Sequence, residues 1–546
     1  MSCPHHDNEV ADDVSQQTQK VSHRLLRLWP RQWCRDCRQA ANADRRIARG
    51  LTQIQGETLS GRSLDRLLDV LGLPALPELS ETARAHLKAQ LRRLLALIGI
   101  LLFVTTLTQP ELIGQKAIEI LWFGKAQPGV LQTAGMWLLF SIGWYGKPLF
   151  ALLFPFLAPA LSPRALSDKT CLRWLTGSAL LAACGWLLLD HVPLRGAMAI
   201  LVIVISGLLA VASTVMGGTL VEQGQRMGAT GRLGALHAAA IFLARLAGAG
   251  AAGLLGTTTL HLTAPFCAAL LAGFALLCWL AQDRNPEATK TVPAGLHGND
   301  IAVKEVAVED VKASAVPYDW ERHRRETWNA VQALLQSRNV WGVAGIAFLI
   351  YIAPNFAALQ HQENLRLGFS AHAQDSLDFV GGACGLIGVG GYLWLCRRLS
   401  LQTLFITGIL CNAAGTLLYL GYHSLATALI IEGANGLLSA LVFAMLFDLA
   451  IRAIPGRAAM LGYALFTGII AFSSHLSNVF GSWLYVQAGW GFVQVVILSA
   501  GLSLPALAVV ALLPATLLDR REGRIIEETL AGRGTGTGIP ALNGAD

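Results

Sequence analysis

The chain has 546 residues, of which 53% are hydrophobic and 14% charged, against roughly 25% charged in an ordinary soluble protein. That balance excludes a soluble enzyme or binding module as the main body and indicates a polytopic membrane protein. The formal net charge of +7 does not require a nucleic-acid partner, because Lys and Arg are also expected on the cytoplasmic loops of a membrane protein. Among the cysteines, Cys171, Cys184, Cys267, Cys278, Cys384, Cys396 and Cys411 lie in or beside apolar runs and read as small buried hydrophobes rather than a disulfide framework.

Residues 1–93 are hydrophilic and Arg-rich, with no apolar run long enough for a cleavable signal peptide, and are expected to form a cytoplasmic extension. Cys34 and Cys37 have a ligand-like spacing beside Cys3, His5 and His6, but a second matching pair is missing, so no metal centre is expected. Apolar periodicity predicts a short amphipathic helix from Arg62 to Leu73. A second runs through TARAHLKAQLRR, capped by Ser80, with its basic face suited to lipid head groups.

Twelve spans are predicted, at 94–122, 130–157, 171–189, 196–222, 233–256, 262–282, 340–361, 374–396, 401–421, 425–452, 458–485 and 491–514. The loops agree with this set. Arg164, Lys169 and Arg173, then Arg226 and Arg232, Arg397 and Arg398, and Arg452 and Arg457 fall on one side, while the other has little beyond Lys125, Arg195 and Arg366. Both termini join the basic side, with Arg520, Arg521 and Arg524 in the tail 515–546, and are expected to be cytoplasmic. A bacterial inner membrane is the expected setting, ahead of a plastid or plasma membrane.

Residues 283–339 form a polar linker that separates a first half, 94–282, from a second, 340–514. Its end, Asp319 to Ser337, is predicted either to lie on the membrane as an amphipathic helix anchored by Trp320 and Trp328 or to be a plain solvated helix. Two faint repeats relate the halves. Pro110 precedes Gly124 as Pro354 precedes Gly368, and Glu222, Arg226 and Gly231–Arg232 are echoed by Asp448, Arg452 and Gly456–Arg457. Duplicated six-helix halves are the arrangement of major facilitator transporters.

WYGKPLFALLFPF in the second span, VEQGQRMGATGRLGALHAAA between the fourth and fifth, NVWGVAGIAFLIYIAPNF opening the second half and RAIPGRAAMLGYALFTGI at the eleventh occur in an order that resembles the folate–biopterin transporter family of the major facilitator superfamily. The resemblance covers residues 94–515 and implies an all-α polytopic membrane protein, twelve transmembrane helices in two six-helix halves, that moves folates or pteridines. The chain departs from the family where Leu153–Phe154 replaces a Ser-Asp pair and Met216–Gly217–Gly218 replaces an acidic pattern in the fourth span.

Polar groups deep within apolar spans need a reason, because each is costly there. Lys147 stands inside Val130–Leu157 beside Trp144 and Tyr145, with Pro148 able to weaken the helix; these are parts suited to holding a polar ligand. Arg245 lies near the middle of the fifth span, and its guanidinium can grip a carboxylate. With Gln109 and Asn355, these make the substrate-binding set, in which Trp144 and Tyr145 could stack on a flat ring while Lys147 and Arg245 meet carboxylates. Glu111, His475 and Glu432 are proton-coupling candidates; a structural role is also open for Glu111, as a partner of Arg245 or Lys147, and for His475, as a packing histidine. Glu222 with Arg226 and Asp448 with Arg452 have helical i,i+4 spacing and read as pins of a cytoplasmic gate.

No Walker loop, zinc-hydrolase helix or Rossmann pattern occurs, so neither an enzyme nor a cofactor is expected. The expected function is secondary active transport of a small organic anion, with protons, by a monomer in the lipid bilayer. Two alternatives stand beside it: an exporter of amphiphilic compounds or permease for cell-wall fragments, and a non-transporting receptor or scaffold.

Overall fold

The computed structural model describes residues 95–518 except 125–128, 154–167, 193, 228, 256–259, 284–319 and 356. Both predicted N-terminal helices therefore lie outside the described residues. The chain divides into two units, and all the described helices belong to the one made of Pro74–Cys396 with Ser400–Asp546.

The spans begin with α1 (Leu95–Leu107), α2 (Gln115–Phe123), α3 (Val130–Phe140) and α4 (Ile142–Tyr145). The first half is completed by α5 (Asp168–Leu189), α6 (Arg195–Met227), α7 (Thr230–Leu255) and α8 (Leu260–Asp283). After the linker come α9 (Trp320–Gln336), α10 (Arg338–Ile352), α11 (Ala357–Arg366) and α12 (Ala371–Leu395), then α13 (Leu401–Leu417), α14 (Leu425–Ala453), α15 (Ala459–Val486), α16 (Phe492–Ser503) and α17 (Ala506–Leu512). Among the described residues, nine helical stretches are long and apolar enough to cross a bilayer. Large apolar side chains such as Leu512, Ile430, Ile200 and Ile387 point outward, as they do where the surroundings are lipid. Serines start four helices of the second half, α10, α12, α13 and α14: Ser337, Ser370, Ser400 and Ser424 each accept from a backbone N–H in the first turn.

The first span of each half is broken at its proline. After α1 the chain leaves the helix around Pro110 and resumes as α2; after α10 it does the same at Pro354 and resumes as α11. Each second piece ends on a glycine in the left-handed region, Gly124 at φ 72° and Gly368 at φ 74°, a conformation open to glycine because it has no Cβ. Unwound backbone inside a membrane must find other partners. Trp186 of α5 donates to the Thr108 carbonyl at 3.1 Å. At the second break, Ser477 of α15 donates its hydroxyl to the Ala353 carbonyl and accepts from the Asn355 N–H through its own carbonyl.

The second span is interrupted too, at Ser141 and Gly146, both before the place where Pro148 suggested a bend. Pro148 sits in the first turn of the helical stretch 147–153, where its missing N–H costs nothing. Gly143 makes the interruption tight, since a Cβ there would stand 2.5 Å from the Gly207 nitrogen of α6. At the linker end, α9 meets α10 at 60°, burying Val331 and Leu334 and leaving Trp328 exposed.

Candidate functional site

The seam between α3–α4, α6 and α15 carries a column of polar side chains. At its upper level are Glu111, from the break after α1, Ser141, from the interruption before α4, and His475, near the middle of α15. His475 Nε2 lies 2.9 Å from Glu111 Oε2, and Ser141 donates a short hydrogen bond to Glu111 Oε1 while lying 3.2 Å from His475 Nε2. His475 Nδ1 is 2.8 Å from the Ala471 carbonyl, which can only accept. Nδ1 therefore carries hydrogen, and the Glu111–His475 contact is held by one shared proton, as carboxylate and imidazolium or as carboxylic acid and imidazole. Tyr145 packs edge-on against His475, with ring centroids 5.7 Å apart, and against Phe472 at 5.4 Å.

Six residues further along the second span, or roughly 9 Å at helical rise, is Lys147. Only 3% of its surface is exposed. Its ammonium donates to Ser213 of α6 at 3.2 Å and to Thr467 of α15 at 3.5 Å, and stands 3.8 Å above the Trp144 ring. No carboxylate among the described residues is within ion-pair distance of it. The Trp144 indole N–H is likewise buried without a hydrogen-bond partner.

Below Lys147 the seam closes. Gly217 of α6 faces the Tyr463 ring of α15 so closely that a Cβ would stand 2.0 Å from it, and a Cβ on Gly218 would stand 2.9 Å from the Met460 backbone. These are the glycines found where the family resemblance implies an acidic pattern. The Tyr463 hydroxyl is 2.9 Å from His237 Nε2 of α7, whose ring packs against Phe447 and Phe443 of α14 with its Nδ1 unpartnered. At the bottom, Arg452 grips the fully buried Asp448 with two hydrogen bonds, at 2.7 and 2.9 Å, and reaches Thr230 of α7 at 3.1 Å. Tyr392 donates to the same carboxylate at 2.7 Å. Gln225 of α6 donates to the carbonyls of Ile451 and Ile454, each at 2.6 Å.

The sequence-based candidates thus fall into separate groups. Glu111 and His475 meet each other. Neither Lys147 nor Arg245 is the partner of Glu111, because helical rise puts Lys147 well below it and Arg245 belongs elsewhere: its side chain is exposed, 5.5 Å from the Phe242 ring centroid. The ammonium covers one Trp144 face, and Tyr145 packs edge-on against Phe472 and His475, so these rings frame the two charged levels. Gln109 and Asn355 stand at the two breaks. Glu432 belongs to a network internal to the second half, accepting from Gln360 at 2.5 Å and Tyr419 at 2.8 Å. Glu222 is half-buried near the end of α6, and the side chain of Arg226 lies outside the described residues. Ser141, Ser213, Gln225, His237, Tyr463 and Thr467 are members of the column that the sequence did not single out. Only His237, an imidazole within an apolar span, carried a signal that could have found it.

No family model matches the chain, and neither does any curated protein. Among solved structures, it is similar to the crystal structure of the human organic anion transporter MFSD10 (TETRAN), with a TM-score of 0.53 and 14% identity, over 77% of this chain and 99% of that one. At this identity the likeness is one of fold: an all-α polytopic membrane protein with two six-helix halves, the major facilitator fold.

Proposed function

We propose that the chain is a secondary active transporter that moves an organic anion together with protons. The observation that carries this reading is Lys147: a buried ammonium without a carboxylate partner, bonded to a hydroxyl from each half, has a place for an anion to complete. An unpaired charge inside a membrane is costly and is kept where function uses it. Glu111 and His475 are the proton site, since their contact needs one proton and titration of either group changes it. Asp448, Arg452 and Gln225 pin the end that faces the cytoplasm, where both termini also lie. The resemblance to folate–biopterin transporters makes pteridines and folates the leading substrates, and the structural neighbour is described as a transporter of organic anions.

The test is uptake of labelled pterin-6-carboxylate and folate into vesicles containing the purified full chain, with and without an imposed proton gradient. Accumulation of either that needs the gradient is expected. Uptake equal to that of protein-free vesicles under every gradient would rule the reading out for these substrates and direct attention to the scaffold alternative.

A further inference from the structure

We infer that α9 docks on the phospholipid head-group layer and, seated there, braces the turn on which the Arg452 end of the seam closes. The docking stands without the transport reading, and only the use of that closure in transport rests on it. The helix enters a span at a fixed angle. Ser337 caps α10 by accepting from the Val340 N–H, and α9 is inclined at 60° to α10 across that cap. The indole N–H of Trp341, in the first turn of α10, reaches back over the bend to the Leu335 carbonyl at 2.8 Å, while 47% of the residue stays exposed. A tryptophan with an exposed ring and a bonded N–H at the start of a span belongs to the boundary of a bilayer. The 17 residues of α9 extend roughly 25 Å at helical rise. With α10 along the membrane normal, Trp328 lies about 13 Å from the bend along α9 but only about 7 Å from it in depth. The head-group layer is roughly 5–8 Å deep on each side, so Trp328 stays at its level.

Three sectors run along α9. Leu334 is buried against Val340 and Ala458, beside the partly buried Leu461 and Leu465 of α15, and Val331, one turn earlier, is buried as well. Trp328 and Leu335, two turns apart and hence in one line, are 58% and 53% exposed; they stand roughly 100–120° round the helix from Leu334. The far side, with Glu326, Asn329 and Ala333, is exposed, and Arg325 is paired with Glu321 at 3.0 Å between it and the apolar line. A helix surrounded by water and its own protein gains nothing from an apolar line beyond its packing face. On a bilayer that line sinks to the boundary of head groups and acyl chains while the polar sector faces water. Arg324, one turn before Trp328 on the same side, and Arg338, at the start of α10, are exposed and placed to meet lipid phosphates. The line ends beside Trp341, at the bilayer boundary. Two side chains are too narrow a strip for a specific protein partner, whose interface takes roughly 800 Å² on each side.

The packing face ties the seated helix to the seam. Ala458, which Leu334 covers, belongs to the short 3-10 turn Gly456–Ala458 between α14 and α15. Just before that turn the Ile454 carbonyl accepts from Gln225 of α6, and a Cβ on Gly456 would stand 3.0 Å from Gln225 Oε1. The turn is therefore held by the first half through Gln225 and by α9 through Leu334. With Trp328 and Leu335 fixed in lipid, Leu334 keeps the turn where Gln225 meets it. Released from lipid, α9 is free to pivot at Ser337, and the turn loses that support.

The test uses the full chain with its native cysteines replaced by serine. Single substitutions Trp328→Cys, Leu335→Cys, Asn329→Cys and Ala333→Cys carry an environment-sensitive fluorophore in nanodiscs of phosphatidylcholine and phosphatidylglycerol. At 328 and 335, quenching by lipids bearing a spin label near the head group is expected to exceed quenching by aqueous iodide several-fold, with the reverse at 329 and 333. Equal iodide quenching at all four positions overturns the docking. Shielding of 328 and 335 from both quenchers means that protein covers them, and overturns it too. For the brace, Trp328→Ser and Leu335→Ser are combined in a Ser213→Cys background; both side chains are exposed, so the fold does not depend on them. In vesicles, the reaction of Ser213→Cys with a membrane-impermeant thiol reagent, added on the side of the α6 C-terminus, should become several-fold faster. An unchanged rate overturns the brace. Neither readout uses uptake, so a chain that carries no pteridine or folate would still show both, and failure of either leaves the transport reading untouched.

Discussion

His475 Nε2 and Glu111 Oε2 stand 2.9 Å apart across 364 residues of chain, and the contact ties the broken first span to the middle of α15. It joins the two halves through a single proton, so the state of that proton bears on how the halves are held. The immediate surroundings enforce this: Ala471 fixes the imidazole proton on Nδ1, and the Ser141 hydroxyl is within hydrogen-bond reach of both groups.

Glu111→Gln fixes the upper level in a neutral form. A neutral amide cannot take up or release the proton shared with His475, so binding and exchange of the anion remain possible while its coupling to that proton is lost. Counterflow exchange of labelled for unlabelled anion is expected to persist, and net proton-driven accumulation should fall at least tenfold. Equal loss of both modes would show that Glu111 is needed for binding or folding and not for the return of the empty protein.

Asp448 is completely buried, with Arg452 and Tyr392 as partners. Asp448→Ala strips the guanidinium of its counter-charge, and breaking one side of a buried pair costs roughly 3–5 kcal/mol. Thermal unfolding in detergent should shift down accordingly. Asp448→Leu combined with Arg452→Leu should recover most of the loss, since neither charge then remains unpaired. A single mutant as stable as the parent would remove the pair from any role in holding the halves.

Gly217 bears on closure. Any side chain there collides with the Tyr463 ring, so Gly217→Val should hold α6 and α15 apart and break the Tyr463–His237 hydrogen bond. A cysteine placed at Ser213, in a background whose native cysteines are serines, should then react several-fold faster with a membrane-impermeant thiol reagent added on the side of the α6 C-terminus. Unchanged labelling would mean that the Tyr463 contact does not seal that end.

Much of the fold was legible in the chain because it rests on local signals. Apolar runs marked the spans, and the equal spacing of Pro110 to Gly124 and Pro354 to Gly368 was visible as a repeat; that the spans 94–122 and 340–361 break at those prolines was not expected, although proline interrupts a helix and glycine allows the left-handed exit. The Asp448–Arg452 pair was visible as an i,i+4 spacing within one helix. The Glu111–His475 contact was not, because only the packing of α15 against the first two spans brings the residues together, and nothing local marks His475 as facing an acid. Ser213 and Thr467 were hidden for the same reason: a serine or threonine in an apolar span ordinarily bonds the carbonyl one turn back, as Thr214 and Thr105 do.

Lys147→Ala tests the lower level. Removing the ammonium should leave the protein inserted, because a buried charge opposes insertion, while affinity for a carboxylated substrate falls. Loss of one charge-assisted contact should cost roughly 1.5–3 kcal/mol, or about ten- to hundred-fold in apparent affinity. Lys147→Arg need not restore it, since a planar fork does not reproduce a compact ammonium held between Ser213, Thr467 and the Trp144 face. Adding Glu111→Gln to Lys147→Ala should not restore net uptake either, because Glu111 is already paired with His475. Recovery of parental affinity and net uptake in that double mutant would mean that Lys147 serves only to balance Glu111, and the assignment of Lys147 as the anion's partner would fall.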